Sequence, residues 1–254
     1  MSSDDPKPFL DHLEDLRWTI IKCALALVIA MTVSCVYTPE LIEILKQPLL
    51  IALQGRPEQP SDFLKTIEVM DAFNLVFQTG LFAGVILSLP FILFFIGQFI
   101  IPALTWHERK MLLPTFAVGG LLFGGGVLFC YFLIMPNTIL AFLQLNDWVG
   151  ARAEWTIQNY LGFVLQMLAA FGLSFELPLV IVILARLGIV SKAFLSRYRR
   201  HAIVILLVFA AAITPTSDPF TLMALFIPLY LLFEVSIWIA GLIETKRQTE
   251  LEST

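Results

Sequence analysis

Residues 160–185 read YLGFVLQMLAAFGLSFELPLVIVILA, an apolar stretch in which Glu176 is the only charged side chain. A helix needs about 20 predominantly apolar residues to cross a hydrocarbon core ~30 Å thick, so this stretch predicts a membrane span carrying a carboxylate near its middle. Runs of the same kind lie at 18–37, 72–99 and 112–135. Beyond Arg200, the segment His201 to Ile213, the polar turn Thr214-Pro215-Thr216-Ser217-Asp218-Pro219 and the segment Phe220 to Ile243 read as a tight hairpin of two further helices. The expected fold class is an all-α membrane protein with six kinked transmembrane helices. Its spans lie near 18–37, 72–99, 112–135, 160–185, 201–213 and 220–243, in one domain over 1–254.

Composition supports that reading. Of the 254 residues 58% are hydrophobic and only 14% charged, with mean hydropathy +0.85, whereas a water-facing domain carries about 25% charged residues. The net charge of −4 offers no basic excess to neutralise a phosphate backbone, so nucleic acid is not an expected partner. Cys23, Cys35 and Cys130 are isolated thiols without a CxxC pair, which predicts neither a disulfide framework nor a zinc site. The N-terminal MSSDDPKPFLDHLEDLR is acidic where a cleavable signal has a basic region, and the first apolar run is expected to stay as a span. If alternate loops share a side, twelve of the sixteen Lys and Arg fall on the side of the termini and four on the other. The positive-inside rule then puts both termini in the cytoplasm.

Several spans are irregular. Pro90, Pro178 and Pro228 each remove an intrahelical hydrogen bond and favour kinks. The fifth span has 13 residues between His201 and Ile213, about 20 Å of helix, short enough to favour local thinning of the bilayer. Within the first outer loop, Leu41 to Lys46 is amphipathic and is followed by Pro48, which predicts a short surface helix closed there. Catalytic patterns are incomplete. His107-Glu108-Arg109-Lys110-Met111 lacks the second His of HExxH, Gly172-Leu173-Ser174-Phe175-Glu176 lacks the closing Gly of a nucleophile elbow, and there is no Gly-rich phosphate loop. An enzyme is not expected, nor is a cofactor or bound metal.

A few polar groups remain to be weighed. Asp11 and Asp15, at i and i+4, share a helix face with Glu14 beside them; the arrangement suits either a solvated side of an interfacial helix or a cationic-ligand site. Phe99, the rigid turn at Pro102 and Glu108 stand together in the second cytoplasmic segment, where a carboxylate beside Arg109 and Lys110 is ordinarily a solvated charge. Glu176 is different, because an ionised carboxylate at a span centre costs about 2.5 to 3.5 kcal/mol on insertion scales. It needs a partner, a proton or water, and intramembrane ionisable groups are functional candidates by default. Glu234 in the sixth span has a similar claim nearer the rim, and Asp218 suits either a functional role or a cap on the helix that Pro219 begins.

Four segments carry a resemblance. Phe9…His12-Leu13-Glu14-Asp15-Leu16-Arg17, Phe99-Ile100-Ile101-Pro102-Ala103-Leu104…Glu108, Phe171-Gly172-Leu173-Ser174-Phe175-Glu176-Leu177-Pro178 and Thr214-Pro215…Asp218-Pro219 resemble, in order, motifs of the TatC family, the multispanning core of the twin-arginine protein translocase. The resemblance implies a non-enzymatic receptor in the bacterial cytoplasmic (inner) membrane that binds twin-arginine signal peptides of folded precursors at the cytoplasmic face. It also implies assembly with TatA- and TatB-type single-span subunits and other copies of itself in the lipid bilayer, driven by the protonmotive force. Carried onto this sequence, the family's HLxELR glutamate falls on Asp15, its loop aromatic on Phe99 and its loop carboxylate on Glu108, the principal arginine partner. Glu14, Arg17 and Pro102 complete the signal-peptide set. Glu176, Asp218, Thr214 and Pro178 are implied as intramembrane or partner contacts. The chemistry is coherent, since a guanidinium pairs with a carboxylate in fork geometry and stacks on an aromatic ring. Asp15 departs from the family pattern by one methylene, and Leu222 stands near where many relatives carry Gln. A proton-coupled secondary transporter, with Glu176 as the carrier, is the alternative reading.

Overall fold

In hydrocarbon a peptide N–H or C=O finds no water, so apolar runs of this length fold as helices that satisfy their own backbone. The computed structural model describes residues 9–54, 64–66, 69–100, 106–151, 154–214 and 218–252, and among these the side chains other than those of 9–12, 100, 106–115, 117 and 246–252. The helices, in chain order, are α1 (Phe9–Val36), α2 (Thr38–Ala52), α3 (Asp71–Ile100), α4 (Trp106–Phe129), α5 (Met135–Val149), α6 (Ile157–Ser174), α7 (Leu177–Arg186), α8 (Lys192–Arg197), α9 (Arg199–Ile213) and α10 (Pro219–Glu252). Among the described residues five stretches are long and apolar enough to cross a membrane: Leu13–Val36, Asp71–Phe99, Val118–Val149, Ile157–Arg186 and Pro219–Thr245. The fifth expected span corresponds to α9, whose 15 residues make about 22 Å, and it falls short of that length.

Three prolines meet three outcomes. Pro48 was expected to close the outer helix, yet α2 continues through it to Ala52. Proline cannot donate to the carbonyl four residues back, that of Ile44, and the Tyr131 hydroxyl donates to that oxygen instead at 2.7 Å. Tyr160 donates to the next carbonyl, Leu45, at 2.9 Å, so helix α2 is pinned to the bundle, with Leu49 fully buried. Pro136 falls just inside α5, and the turn before it, Cys130–Ile134, widens into a π-helix that joins α4 to α5. There the Met135 N–H reaches the Cys130 carbonyl five residues back, and the Asn137 amide donates to the Leu133 carbonyl at 2.6 Å. The third span therefore extends well past 135, to Val149. Pro178 coincides with a full break: α6 ends at Ser174 and α7 starts at Leu177. By contrast, α3 and α10 run through Pro90 and Pro228 without interruption.

Helix α6 is the axis of the core. Leu161, Val164, Leu165, Met167 and Phe171 are buried there, together with Met135 and Ile139 of α5 and Leu45 and Leu49 of α2. Around it α3 and α4 pack on α6 and on each other, α1 lies against α3, and α2 against α5. A second cluster, Ile181, Leu206, Leu229, Phe233 and Ile237, joins α7, α9 and α10. A small parallel pair that the sequence did not suggest, β1 (Leu64–Lys65) with β2 (Trp155–Thr156), ties the loop after α2 to the start of α6. Its ends are held by Lys65 and Glu154 at 2.8 Å. Ile20, Leu25, Phe77, Phe91, Leu121, Val208 and Trp238 are exposed on the outside, as a lipid-facing surface requires.

Candidate functional site

Where α1 begins and α3 ends, the two helices enclose a pocket of about 160 Å³. Asp15, Trp18, Thr19 and Lys22 supply one wall and Phe95, Gln98 and Phe99 the other. The spacings i, i+3, i+4 and i+7 put each set on one helix face. Thr19 donates to the Asp15 carbonyl at 2.8 Å. Two of the expected signal-peptide residues, Asp15 and Phe99, thus meet across one cavity. Glu14 and Arg17 are exposed and do not line it. Glu108 is in the first turn of α4, but its side chain lies outside the described residues, as does Pro102 altogether. Lys22, Trp18 and Gln98 belong to the pocket although sequence reading passed over them as site residues; the i+7 spacing of Lys22 from Asp15 carries that signal.

Farther along the same pair, α1 and α3 come into close contact. A Cβ on Gly84 would stand 2.6 Å from Met31 Cγ and 2.7 Å from its Cα, and one on Gly80 would collide with the Cys35 sulfur. Gly80-Leu81-Phe82-Ala83-Gly84 is a GxxxG pattern, which lets membrane helices approach backbone to backbone.

A second group of expected residues lies along α6, α7, α9 and α10. Glu176 occupies the break between α6 and α7, where its N–H bonds the Leu173 carbonyl at 3.1 Å and ends the helix. Its side chain is 7% exposed. Among the described residues neither carboxylate oxygen has a hydrogen-bond partner, and α4 leaves room for the group through Gly119, whose added Cβ would stand 3.2 Å from Oε2. Pro178 is buried two residues on. Thr214 caps the end of α9 and its buried hydroxyl also lacks a partner among the described residues. Glu234, which the sequence ranks beside Glu176, is in contrast engaged by Arg199 at 2.9 Å and by the Tyr230 hydroxyl at 2.9 Å.

Asp218 caps α10: its Oδ1 accepts from the Thr221 N–H at 2.8 Å and its Oδ2 from the Thr221 hydroxyl at 2.6 Å. Asp218→Ala is expected to cost about 1 kcal/mol, the worth of an N-cap, seen as a small fall in thermal midpoint in detergent. Among the described residues no group of three His, Cys, Asp or Glu side chains converges to hold a metal.

Residues 11–228 match the family described as "Sec-independent protein translocase protein (TatC)". A protein of that name from Akkermansia muciniphila is 44% identical over 176 residues, 69% of this chain and 51% of the relative, so the chain spans about half of that relative's length. Another from Carboxydothermus hydrogenoformans is 36% identical over 243 residues, covering 96% of each. A crystal structure titled as a twin-arginine translocase receptor, TatC, in a detergent superposes with a TM-score of 0.78. It is 32% identical and covers 91% of this chain and 99% of that one.

Proposed function

The chain belongs to the TatC family of Sec-independent protein translocase proteins, a non-enzymatic family, and from that premise we propose that it is the receptor subunit of a twin-arginine translocase. It is a single domain over 1–254 in the bacterial inner membrane, crossing six times with α9 as a short fifth span and with both termini in the cytoplasm. The basic residues flanking the proposed inner ends of α1, α4, α8, α9 and α10 support that orientation. Twin-arginine signal peptides of folded precursors bind at that face. TatA- and TatB-type single-span partners and further copies of the chain complete the translocation site, which the protonmotive force drives.

One observation carries the reading: the docking of α1 on α3 sets the Asp15 carboxylate and the Phe99 ring around one pocket at that end of the bundle. A guanidinium entering there pairs with the carboxylate through two parallel N–H donors and lies flat on the ring. Glu108, in the first turn of the neighbouring α4, takes the second arginine, with Glu14, Arg17 and Pro102 shaping the approach. Glu176, Thr214, Pro178 and Asp218 form the intramembrane contact with partner helices. The oxygens of Glu176 and Thr214, without a partner among the described residues, support that role, because a polar side chain from a partner subunit would satisfy them.

The test is binding of a labelled twin-arginine peptide to the purified protein in nanodiscs, beside the same peptide with both arginines changed to lysine. Lysine keeps the charge and loses the planar fork. The Lys-Lys peptide is expected to bind at least about tenfold more weakly, and Asp15→Asn and Glu108→Ala each to cost about as much, given ~1.5 to 3 kcal/mol for a hydrogen bond to a charged group. Equal binding of the two peptides, or an affinity untouched by both substitutions in a folded protein, overturns the assignment.

A further inference from the structure

The pocket at Asp15 does not end at Lys22. From there toward the middle of the bilayer an open groove of about 490 Å³ runs between α1 and α3, and Lys22 and Phe95 line both cavities. Its walls are apolar: Leu25, Ile29 and Val33 from α1, Leu87 and Phe91 from α3. All five are exposed on the surface of the bundle, so in a membrane the groove opens onto lipid. We propose that pocket and groove together hold one diacyl phospholipid whose headgroup bears a primary ammonium. One acyl chain lies in the groove, the phosphate meets the Lys22 ammonium and, while no signal peptide occupies the pocket, the headgroup ammonium meets the Asp15 carboxylate.

Charge order selects this occupant. Asp15 and Lys22 share a face of α1 two turns apart, about 10 Å along the axis, and the flexible lysine stem shortens that gap by reaching toward the interface. Read from the water inward, the sequence is anion then cation, the complement of a headgroup with its ammonium outside its phosphate. An anionic headgroup lacking an amine sets its phosphate on Lys22 but offers Asp15 no positive charge. A quaternary ammonium brings charge but no N–H for the carboxylate. Lys22 makes no ion pair among the described residues, and a cation at the edge of the hydrocarbon calls for a counter-charge.

The experiment is native mass spectrometry of the full chain in detergent with equal amounts of phosphatidylethanolamine, phosphatidylcholine and phosphatidylglycerol of identical acyl chains, and with glycerophosphoethanolamine as the headgroup alone. The amine lipid is expected to be retained about tenfold over the other two, and the free headgroup hardly at all. Lys22→Gln, at an exposed position of α1, is expected to lower retention about tenfold with an unchanged thermal midpoint, and Ala30→Phe, which fills the groove, to do the same. Equal retention of the three lipids, headgroup binding as tight as lipid binding, or retention unaltered by Lys22→Gln overturns the proposal. So does a photo-crosslinker at Ile29 that captures the apolar segment of a signal peptide and no lipid in amine-lipid bilayers. The lipid arms contain no signal peptide, so their failure leaves the receptor reading standing.

Discussion

Replacing Glu176 by Met is expected to raise the thermal midpoint of the purified chain while abolishing export of twin-arginine precursors in cells that carry it as their sole copy. Glu176 is enclosed at the break between α6 and α7, and among the described residues its two oxygens have no partner. A buried polar group without a hydrogen bond costs about 1 to 3 kcal/mol, and Met has a similar reach without that penalty. For a chain of this size the gain corresponds to a rise on the order of 5 °C. Glu176→Gln keeps polar atoms at the same place and is expected to leave the midpoint nearly unchanged. The helix break itself remains in either variant, because it follows from Pro178 and from the Glu176 N–H bond to the Leu173 carbonyl, neither of which involves the carboxylate. If the Met protein melts lower than the parent, Glu176 is a structural group whose burial stabilises the chain. If it melts higher and still exports, the partner-contact role fails. Higher stability with lost export marks a residue kept at the expense of the isolated fold, as functional polar groups in a membrane interior commonly are.

The contrast between Glu176 and Glu234 shows where the sequence stops informing. Both are single carboxylates in apolar spans, and the sequence sets Glu234 apart only by its place nearer the rim and by Tyr230 one turn before it. The decisive separation comes from Arg199, which reaches Glu234 across 35 residues, while among the described residues nothing comparable reaches Glu176. Proline behaves the same way. The apolar runs and the shortness of α9 are local properties and were legible, whereas residues 215–217 of the polar turn lie outside the described residues. Whether a proline ends a helix was not, since Pro48 is rescued by a tyrosine 87 residues from the carbonyl it frees, and Pro136 by widening of its own preceding turn. At the candidate site Asp15 and Phe99 were found through family motifs. Lys22 was available from spacing alone, yet only the packing of α1 on α3 puts it between a polar pocket and an apolar groove.

That packing is itself open to a direct test, and Gly84→Leu is expected to undo it. The first Cβ alone would stand 2.6 to 2.8 Å from the Cγ, Cα and N of Met31, and two of those atoms are backbone, which no rotamer change relieves. Helix α1 must therefore retreat along its length. Overpacking a membrane interface with a flexible neighbour costs about 1 to 3 kcal/mol; here the obstacle is a helix backbone, so the upper end applies. Little else restrains α1, since its contacts are concentrated on α3 with only a few on α2, and most of its surface faces outward. Helix α3 belongs to the core on α6 through Leu75 and Ala83, whereas among the described residues α1 contributes none of that core's buried side chains. Signal-peptide affinity is expected to fall at least about tenfold, the equivalent of 1.4 kcal/mol, because Asp15 and Phe99 no longer share a pocket. Limited proteolysis should then release the N-terminal segment while the rest of the chain stays resistant. Gly124→Leu is the matched control, as a Cβ there meets nothing within 4 Å. A Gly84→Leu protein that binds signal normally would mean that α1 and α3 do not form the site together, and Asp15 would have to act from some other arrangement. Loss of binding together with collapse of the whole bundle would mean that α1 supports the core, contrary to the packing described. Selective loss of the pocket is the outcome that follows from two glycines placed one helical turn apart on α3.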